Sequence, residues 1–194
     1  MIEVRYTPSE VRMAAEKPNT IEGHGALYNV VSVPELGFDE RIMAGAFEKA
    51  DISDVRMLWN HNGDKILART KSGTLEVGAD SVGLFYRGEV AETSWGKDAL
   101  ISVARGDVDQ SSFAFGYLEK GDDEWGVDER GNIFRNINRF RKITDVSPTA
   151  FPAYPQTKID ARALSEIRSM LQKPKTDMAR IDLMIKIHKI LTQH

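Results

Sequence analysis

Residues 110–117, QSSFAFGY, are the stretch from which the rest of the chain is interpreted. Their side chains alternate in character, which predicts a short β-strand because successive side chains of a strand point to opposite faces. One face is mostly aromatic and the other is small: Ser111, Phe113, Phe115 and Tyr117 against Ser112, Ala114 and Gly116. The small face leaves room beside the Ser112 hydroxyl, although close packing against a neighbouring element is the simpler explanation of this strand taken alone.

Two further stretches supply the groups that make a serine reactive. Residues 55–64, VRMLWNHNGD, predict a strand that ends in a turn at His61. Residues 143–155, ITDVSPTAFPAYP, predict a strand that carries Asp145 and runs into a proline-stiffened loop. A serine, a histidine and a carboxylate are the nucleophile, the base and the orienting group of acyl transfer.

Composition is typical of a soluble globular protein, with 41% apolar and 28% charged residues in a chain of 194. This length fits one domain with an appendage. The net charge of −3 argues against nucleic acid as the main partner, and the absence of cysteine excludes disulfides and thiolate metal sites. No apolar run reaches the roughly 20 residues of a membrane helix, and no signal-peptide core is present. We expect a cytoplasmic protein without a cofactor or metal.

The three stretches, together with the short motif GDV at 106–108, resemble the prohead maturation proteases of tailed phages, the HK97-type serine peptidases. The resemblance covers most of the chain, from about residue 20 to about residue 162. Its motifs, in chain order, are NHN at 60–62, GDV at 106–108, SFAF at 112–115, DVS at 145–147 and FPAYP at 151–155. The family acid is more often Glu, so Asp145 is a shorter variant.

The resemblance implies a catalytic set of His61, Ser112 and Asp145, with oxyanion donors from the backbone of Ala153 and Tyr154. His24 is the alternative base and Ser111 the alternative nucleophile. His24 is disfavoured because the resemblance assigns its strand to the barrel wall, and Ser111 because it shares the phenylalanine face. Glu124 and Asp128 are alternatives for the acid.

The family also implies a fold and a biological role. The expected fold is mainly β: an antiparallel β-barrel of the herpesvirus-protease type wrapped by helices, with His61 and Ser112 on neighbouring strands. Residues 1–160 would form the protease domain and residues 161–194 a helical C-terminal appendage. The expected function is cleavage of the scaffolding part of the major capsid protein, and of the protease itself, inside the procapsid in the host cytoplasm. The same resemblance leaves room for a homo-oligomer.

Two other functions are compatible with the same residues. The chain could be an inactive capsid-assembly or scaffold protein that keeps the protease fold, or a small serine esterase. Local patterns add further expectations: closely spaced strands through the middle, a polar loop at 35–41, short helices at 44–49 and 94–105, and a solvated acidic hairpin tip at 121–131. The tip lacks the aspartate spacing of a calcium loop.

Overall fold

The computed structural model describes residues 2–5, 7, 9–17, 19–32 and 38–151. Twelve strands and one α-helix lie within these residues: β1 (Glu3–Arg5), β2 (Val11–Met13), β3 (Thr20–Leu27), β4 (Asp39–Ile42), β5 (Arg56–Trp59), β6 (Asn62–Arg69), β7 (Leu75–Ala79), β8 (Gly83–Glu89), α1 (Ser94–Arg105), β9 (Gln110–Phe115), β10 (Asp123–Val127), β11 (Ile133–Ile137) and β12 (Ile143–Thr149). A 3-10 turn covers Thr70–Ser72. The predicted C-terminal helices lie outside the described residues.

The strands form three sheets, with orders β1-β9-β12-β5-β6, β10-β11-β4 and β2-β3-β8-β7. The expected mainly β class is confirmed. The expected closed antiparallel barrel is not: none of the three sheets closes within the described residues, and two pairings, β12 with β5 and β11 with β4, are parallel. Parallel neighbours require long connections, so residues distant in sequence meet at these two pairings.

The sequence pattern of residues 110–117 is explained by the surroundings of β9. Its aromatic face enters the main core, where the rings of Phe113 and Phe115 are fully buried. Phe140 contacts both rings edge-on, with centroid distances of 5.4 and 4.8 Å, and stacks on Phe47 at 4.6 Å. Aromatic pairs of this kind contribute about 0.5–1.5 kcal/mol each beyond the area they bury. These contacts fix β9 at the centre of the fold.

The helix before β9 has the bounds that the sequence predicts. Thr93 caps its first turn by accepting a hydrogen bond from the Gly96 amide at 3.1 Å, and Gly106 ends it in the left-handed region at φ 77°. Ala99 and Val103 lie on its buried face. No described helix is long and apolar enough to cross a membrane.

Three local predictions are wrong in whole or in part. The expected helix at 44–49 is a series of turns, and the expected polar loop at 35–41 contains the start of β4. The acidic stretch at 121–131 contains the whole of strand β10, in which Trp125 is buried; its end, around Asp128, forms the exposed turn of the β10–β11 hairpin. Strands β4 and β10 form despite their polar composition, because both pair with β11 and an acid of each strand forms an ion pair with Arg135.

A buried ion network attaches β1 to the β10-β11-β4 sheet. The Arg135 guanidinium lies 2.9 Å from Glu40 and 2.8 Å from Asp123, and Arg5 lies 2.7 Å from Glu40 and 2.6 Å from Glu3. Burial alone would favour the neutral form of Arg135, but the combined negative charge of Glu40, Glu3 and Asp123 outweighs it and raises the pKa of Arg135 above its ordinary value. The network therefore holds the backbone of β1 in place beside β9.

Replacing Arg135 with methionine should destabilise the fold by about 3–5 kcal/mol, because it removes a buried cation that pairs with both Glu40 and Asp123 and leaves Glu40, at 1% exposure, with Arg5 as its remaining partner. Chemical denaturation measures the change. The control is Arg105→Ala, which breaks an exposed pair with Asp107 and should cost less than about 1 kcal/mol. Equal losses in the two variants would show that the Arg135 network contributes no more than an exposed pair.

Candidate active site

His61 lies in the tight turn that joins β5 to β6. Trp59 and Asn62 are paired across the hairpin, so the loop consists of Asn60 and His61 alone. Both loop residues have positive φ, 52° and 56°, as a type I′ turn requires. Asparagine tolerates this conformation well, whereas histidine is held there at a cost of about 1–2 kcal/mol. Strained backbone of this kind concentrates at functional sites, so the turn is itself a signal.

Two hydrogen bonds tie this turn to the end of β12. The Asn60 amide donates to the Pro148 carbonyl at 3.1 Å, and the Asn60 side-chain oxygen accepts from the Ala150 amide at 3.2 Å. The strained turn is therefore fixed from outside the hairpin as well as by its own strands.

The structure brings His61 and Asp145 into direct contact. Because β12 runs parallel to β5, Asp145 is aligned with Arg56 near the base of the hairpin. Its Oδ1 atom lies 2.6 Å from His61 Nδ1, so the shorter acid still reaches the ring. A carboxylate acceptor places the ring proton on Nδ1 and leaves the lone pair on Nε2. Nε2 is shielded from solvent and has no hydrogen-bond partner among the described residues.

Ser112 lies on the same face of the sheet, with β12 between it and the histidine. The expectation that the two residues lie on neighbouring strands is wrong, because the strand order is β9-β12-β5. Ser112 is the register partner of Ser147 on β12, and directly opposed side chains share a face. The Ser112 hydroxyl is fully buried and donates to the Arg5 carbonyl at 2.8 Å. It thus makes a hydrogen bond with β1, on the side of β9 away from His61.

The other sequence alternatives lie elsewhere in the fold. Ser111 faces the core and shares a 2.6 Å hydrogen bond with the Tyr86 hydroxyl. His24 bonds to Asp80 at 2.9 Å on the four-stranded sheet. Asp128 accepts hydrogen bonds within its own turn, and Glu124 is exposed on β10. Of the sequence candidates, His61 and Asp145 are in contact, and Ser112 is the serine on their face of the sheet.

The chain was then compared with known proteins. The family model described as caudovirus prohead serine protease matches residues 7–173, most of the 194 residues. The chain belongs to this family of serine peptidases. Comparisons with curated proteins and with solved structures gave no match. The matched range contains His61, Ser112 and Asp145, so the hydrogen-bonded pair and the serine strand lie within the part of the chain that is typical of prohead proteases.

One further polar residue of this prohead protease contacts both His61 and Asp145 and is not part of the predicted catalytic set. Ser147 lies two residues after Asp145 on β12 and is fully buried. Its hydroxyl lies 3.1 Å from Asp145 Oδ1 and 3.3 Å from His61 Nδ1, and it accepts from the His61 backbone amide at 3.2 Å. The signal was available, because residues two apart on a strand share a face.

The predicted oxyanion donors, Ala153 and Tyr154, lie outside the described residues. Within the part of the chain that the structure describes, no cluster of histidine and acidic side chains is arranged to hold a metal ion. The described site therefore consists of the base His61 with its orienting acid Asp145, the buried Ser147 in contact with both, and Ser112 on the adjacent strand β9.

Proposed function

We propose that this member of the prohead protease family matures the procapsid by cutting the scaffolding part of the capsid protein, and that it also cuts itself. The observation that carries the proposal is the His61–Asp145 hydrogen bond of 2.6 Å, which leaves His61 Nε2 free as a base on the face of the sheet that holds Ser112. Family membership supports a procapsid protease in general. Cleavage would take place inside the procapsid in the host cell.

The proposed reaction starts with a change at Ser112. The Ser112 hydroxyl breaks its hydrogen bond to the Arg5 carbonyl and rotates toward His61 Nε2, which lies on the far side of β12. His61 Nε2 takes the hydroxyl proton as the serine oxygen attacks the scissile carbonyl. Asp145 holds the imidazole in the required tautomer and stabilises the imidazolium. His61 then returns the proton to the leaving amine, and water releases the acyl group by the same route in reverse. The amides of Ala153 and Tyr154 are the proposed donors to the oxyanion.

Replacing Asp145 with asparagine should lower kcat by about 10²–10⁴-fold, less than loss of the nucleophile or the base, because the carboxylate is one step removed from bond making. Single-turnover cleavage of a capsid-protein substrate measures the effect. Glu124→Gln serves as the control, since Glu124 is an exposed acid on another sheet. Full activity in Asp145→Asn would leave a serine–histidine dyad or assign the acid role to another residue.

One observation favours a second function. The Ser112 hydroxyl bonds to β1 and not to His61, and an inactive capsid-assembly protein that had kept the fold would show the same arrangement. Such a protein would co-assemble with the capsid protein and cut nothing. The two functions therefore differ in covalent chemistry and not in partners, because both predict binding to the capsid protein and its scaffolding segment.

Co-expression with the capsid protein of the same phage, followed by intact-mass measurement, tests the proposal. The expected result is a capsid protein shortened by one defined segment and a shortened protease. Both changes should be absent with Ser112→Ala and present with Ser111→Ala. Full-length masses with the parental chain, in particles that contain both proteins, would overturn the protease proposal in favour of the assembly role.

A further inference from the structure

We propose that Ser147 is a positioning residue of the proteolytic site, which sets the relative placement of the His61 base and the Asp145 carboxylate. The inference rests on the proposed function and assigns a role to a residue outside the predicted catalytic set. It is carried by the three contacts of one fully buried hydroxyl, at 3.1, 3.2 and 3.3 Å.

The donor and acceptor capacity of the hydroxyl decides what these contacts are. A serine hydroxyl has one proton to donate and two lone pairs that accept. The backbone amide of His61 can only donate, so Ser147 accepts this hydrogen bond at 3.2 Å. The Nδ1 proton of His61 is directed at Asp145 Oδ1, at 2.6 Å, so the Ser147 proton goes to the same carboxylate oxygen at 3.1 Å. The 3.3 Å approach to Nδ1 is secondary.

This arrangement connects the backbone of His61 to the carboxylate that orients its ring. One carboxylate oxygen, Asp145 Oδ1, receives two donors, which fixes its position more closely than the histidine alone would. The same hydroxyl gives a buried acceptor to the amide of a histidine whose φ is 56°. In a two-residue hairpin loop the backbone hydrogen bonds that close the turn do not involve the His61 amide. The hydrogen bond to Ser147 therefore gives this strained residue a direct attachment to β12.

Ser147 also lies between His61 and the nucleophile strand. Its register partner across the sheet is Ser112, and its own strand, β12, separates β9 from β5. A displacement at position 147 therefore changes the distance between His61 Nε2 and Ser112, the distance that proton transfer depends on. Among the described residues, the contacts of the Ser147 hydroxyl are all with His61 and Asp145, so Ser147 is placed to act on these two residues.

The first test is kinetic. Ser147→Ala should lower kcat by about 100-fold, with KM essentially unchanged, because a misplacement of about 1 Å in a reacting group has an effect of this size. Ser111→Ala is the matched control: it removes an equally buried hydroxyl from the adjacent strand, on the core face. Parental kcat in Ser147→Ala, or a loss no larger than that of Ser111→Ala, would overturn the proposal.

The second test is a double-mutant cycle with Asp145→Asn. If Ser147 acts through the carboxylate, adding Ser147→Ala to Asp145→Asn should change kcat by no more than about threefold, because residues that act as a unit are strongly non-additive. A purely structural effect would reduce kcat by the same factor in both backgrounds. Equal factors would therefore contradict the positioning role.

The third test separates this inference from the proposed function. Proton NMR of the full chain in a Ser112→Ala background, where self-cleavage is blocked, should show a hydrogen-bonded Nδ1 proton that disappears on His61→Gly. Ser147→Ala should shift or broaden this resonance, and Ser111→Ala should not. An unchanged resonance overturns the role of Ser147 whether or not the protein is a protease. If the parental chain does not cleave, but Ser147→Ala shifts or broadens the resonance and Ser111→Ala does not, the proposed function is overturned and the role of Ser147 stands.

Discussion

Replacing Ser112 with alanine should abolish peptide-bond cleavage and leave the fold intact. Loss of a serine nucleophile lowers kcat by several orders of magnitude, to the residual rate that binding and oxyanion stabilisation support, about 10⁴–10⁶-fold below the parent. The structural cost is small: the variant loses one hydrogen bond, to the Arg5 carbonyl, worth about 1 kcal/mol. Single-turnover cleavage and thermal unfolding of the same sample measure the two quantities.

Ser111→Ala should retain cleavage and lose stability. Its hydroxyl is the partner of the Tyr86 hydroxyl, which lies in the core and whose pKa burial raises well above its usual range. Without Ser111 this group is left unsatisfied, at a cost of about 1–3 kcal/mol in stability. Cleavage should persist at temperatures where the variant is folded. An inactive Ser111→Ala beside an active Ser112→Ala would show that the wrong face of β9 was assigned to the site.

Replacing His61 with glycine should be as damaging to cleavage as loss of Ser112, while the free energy of unfolding changes by no more than about 1–2 kcal/mol. Asn-Gly is the favoured sequence for a two-residue turn with positive φ at both positions, so the variant relieves backbone strain as it loses the bond to Asp145. Activity and stability should thus respond in different ways, the pattern expected of a residue retained for chemistry.

The double variant His61→Gly with Ser112→Ala should cleave little more slowly than either single variant, because both groups serve one proton transfer. His24→Ala is the control for loss of a histidine and should retain activity, since His24 bonds to Asp80 on another sheet. Losses that multiply in single-turnover cleavage would argue against a shared role for Ser112 and His61.

Local patterns predicted the parts of the fold that depend on near neighbours. The bounds of the helix at 94–105 follow from a threonine cap and a terminal glycine, and the two faces of β9 follow from simple alternation. The choice of Ser112 over Ser111 follows from the same alternation, and the structure places Ser111 in the core as expected. The His61–Asp145 contact was expected from the family resemblance, and no local pattern indicates it.

Features that depend on distant partners were not predictable from local sequence. Strand β4 is polar by composition, but it pairs in parallel with β11, and Glu40 on it is neutralised by Arg135, 95 residues away. Strand β10 is acidic as well, and its Asp123 forms an ion pair with the same Arg135. The position of β12 between β5 and β9 was also missed, because strand order depends on pairings that no single segment encodes. Ser147 was overlooked for the related reason that its importance appears only once His61 is beside it.

The order of strands in the five-stranded sheet has a consequence for how the protein is made. The bond between His61 and Asp145 joins residues 84 apart, and that between Ser112 and Arg5 joins residues 107 apart. Contacts of such separation form late and slowly, because the intervening chain must lose its freedom first. Strand β1 leaves the ribosome well before β9, the strand with which it pairs among the described residues, and His61 leaves it well before Asp145 on β12. We therefore expect the site to assemble late in folding.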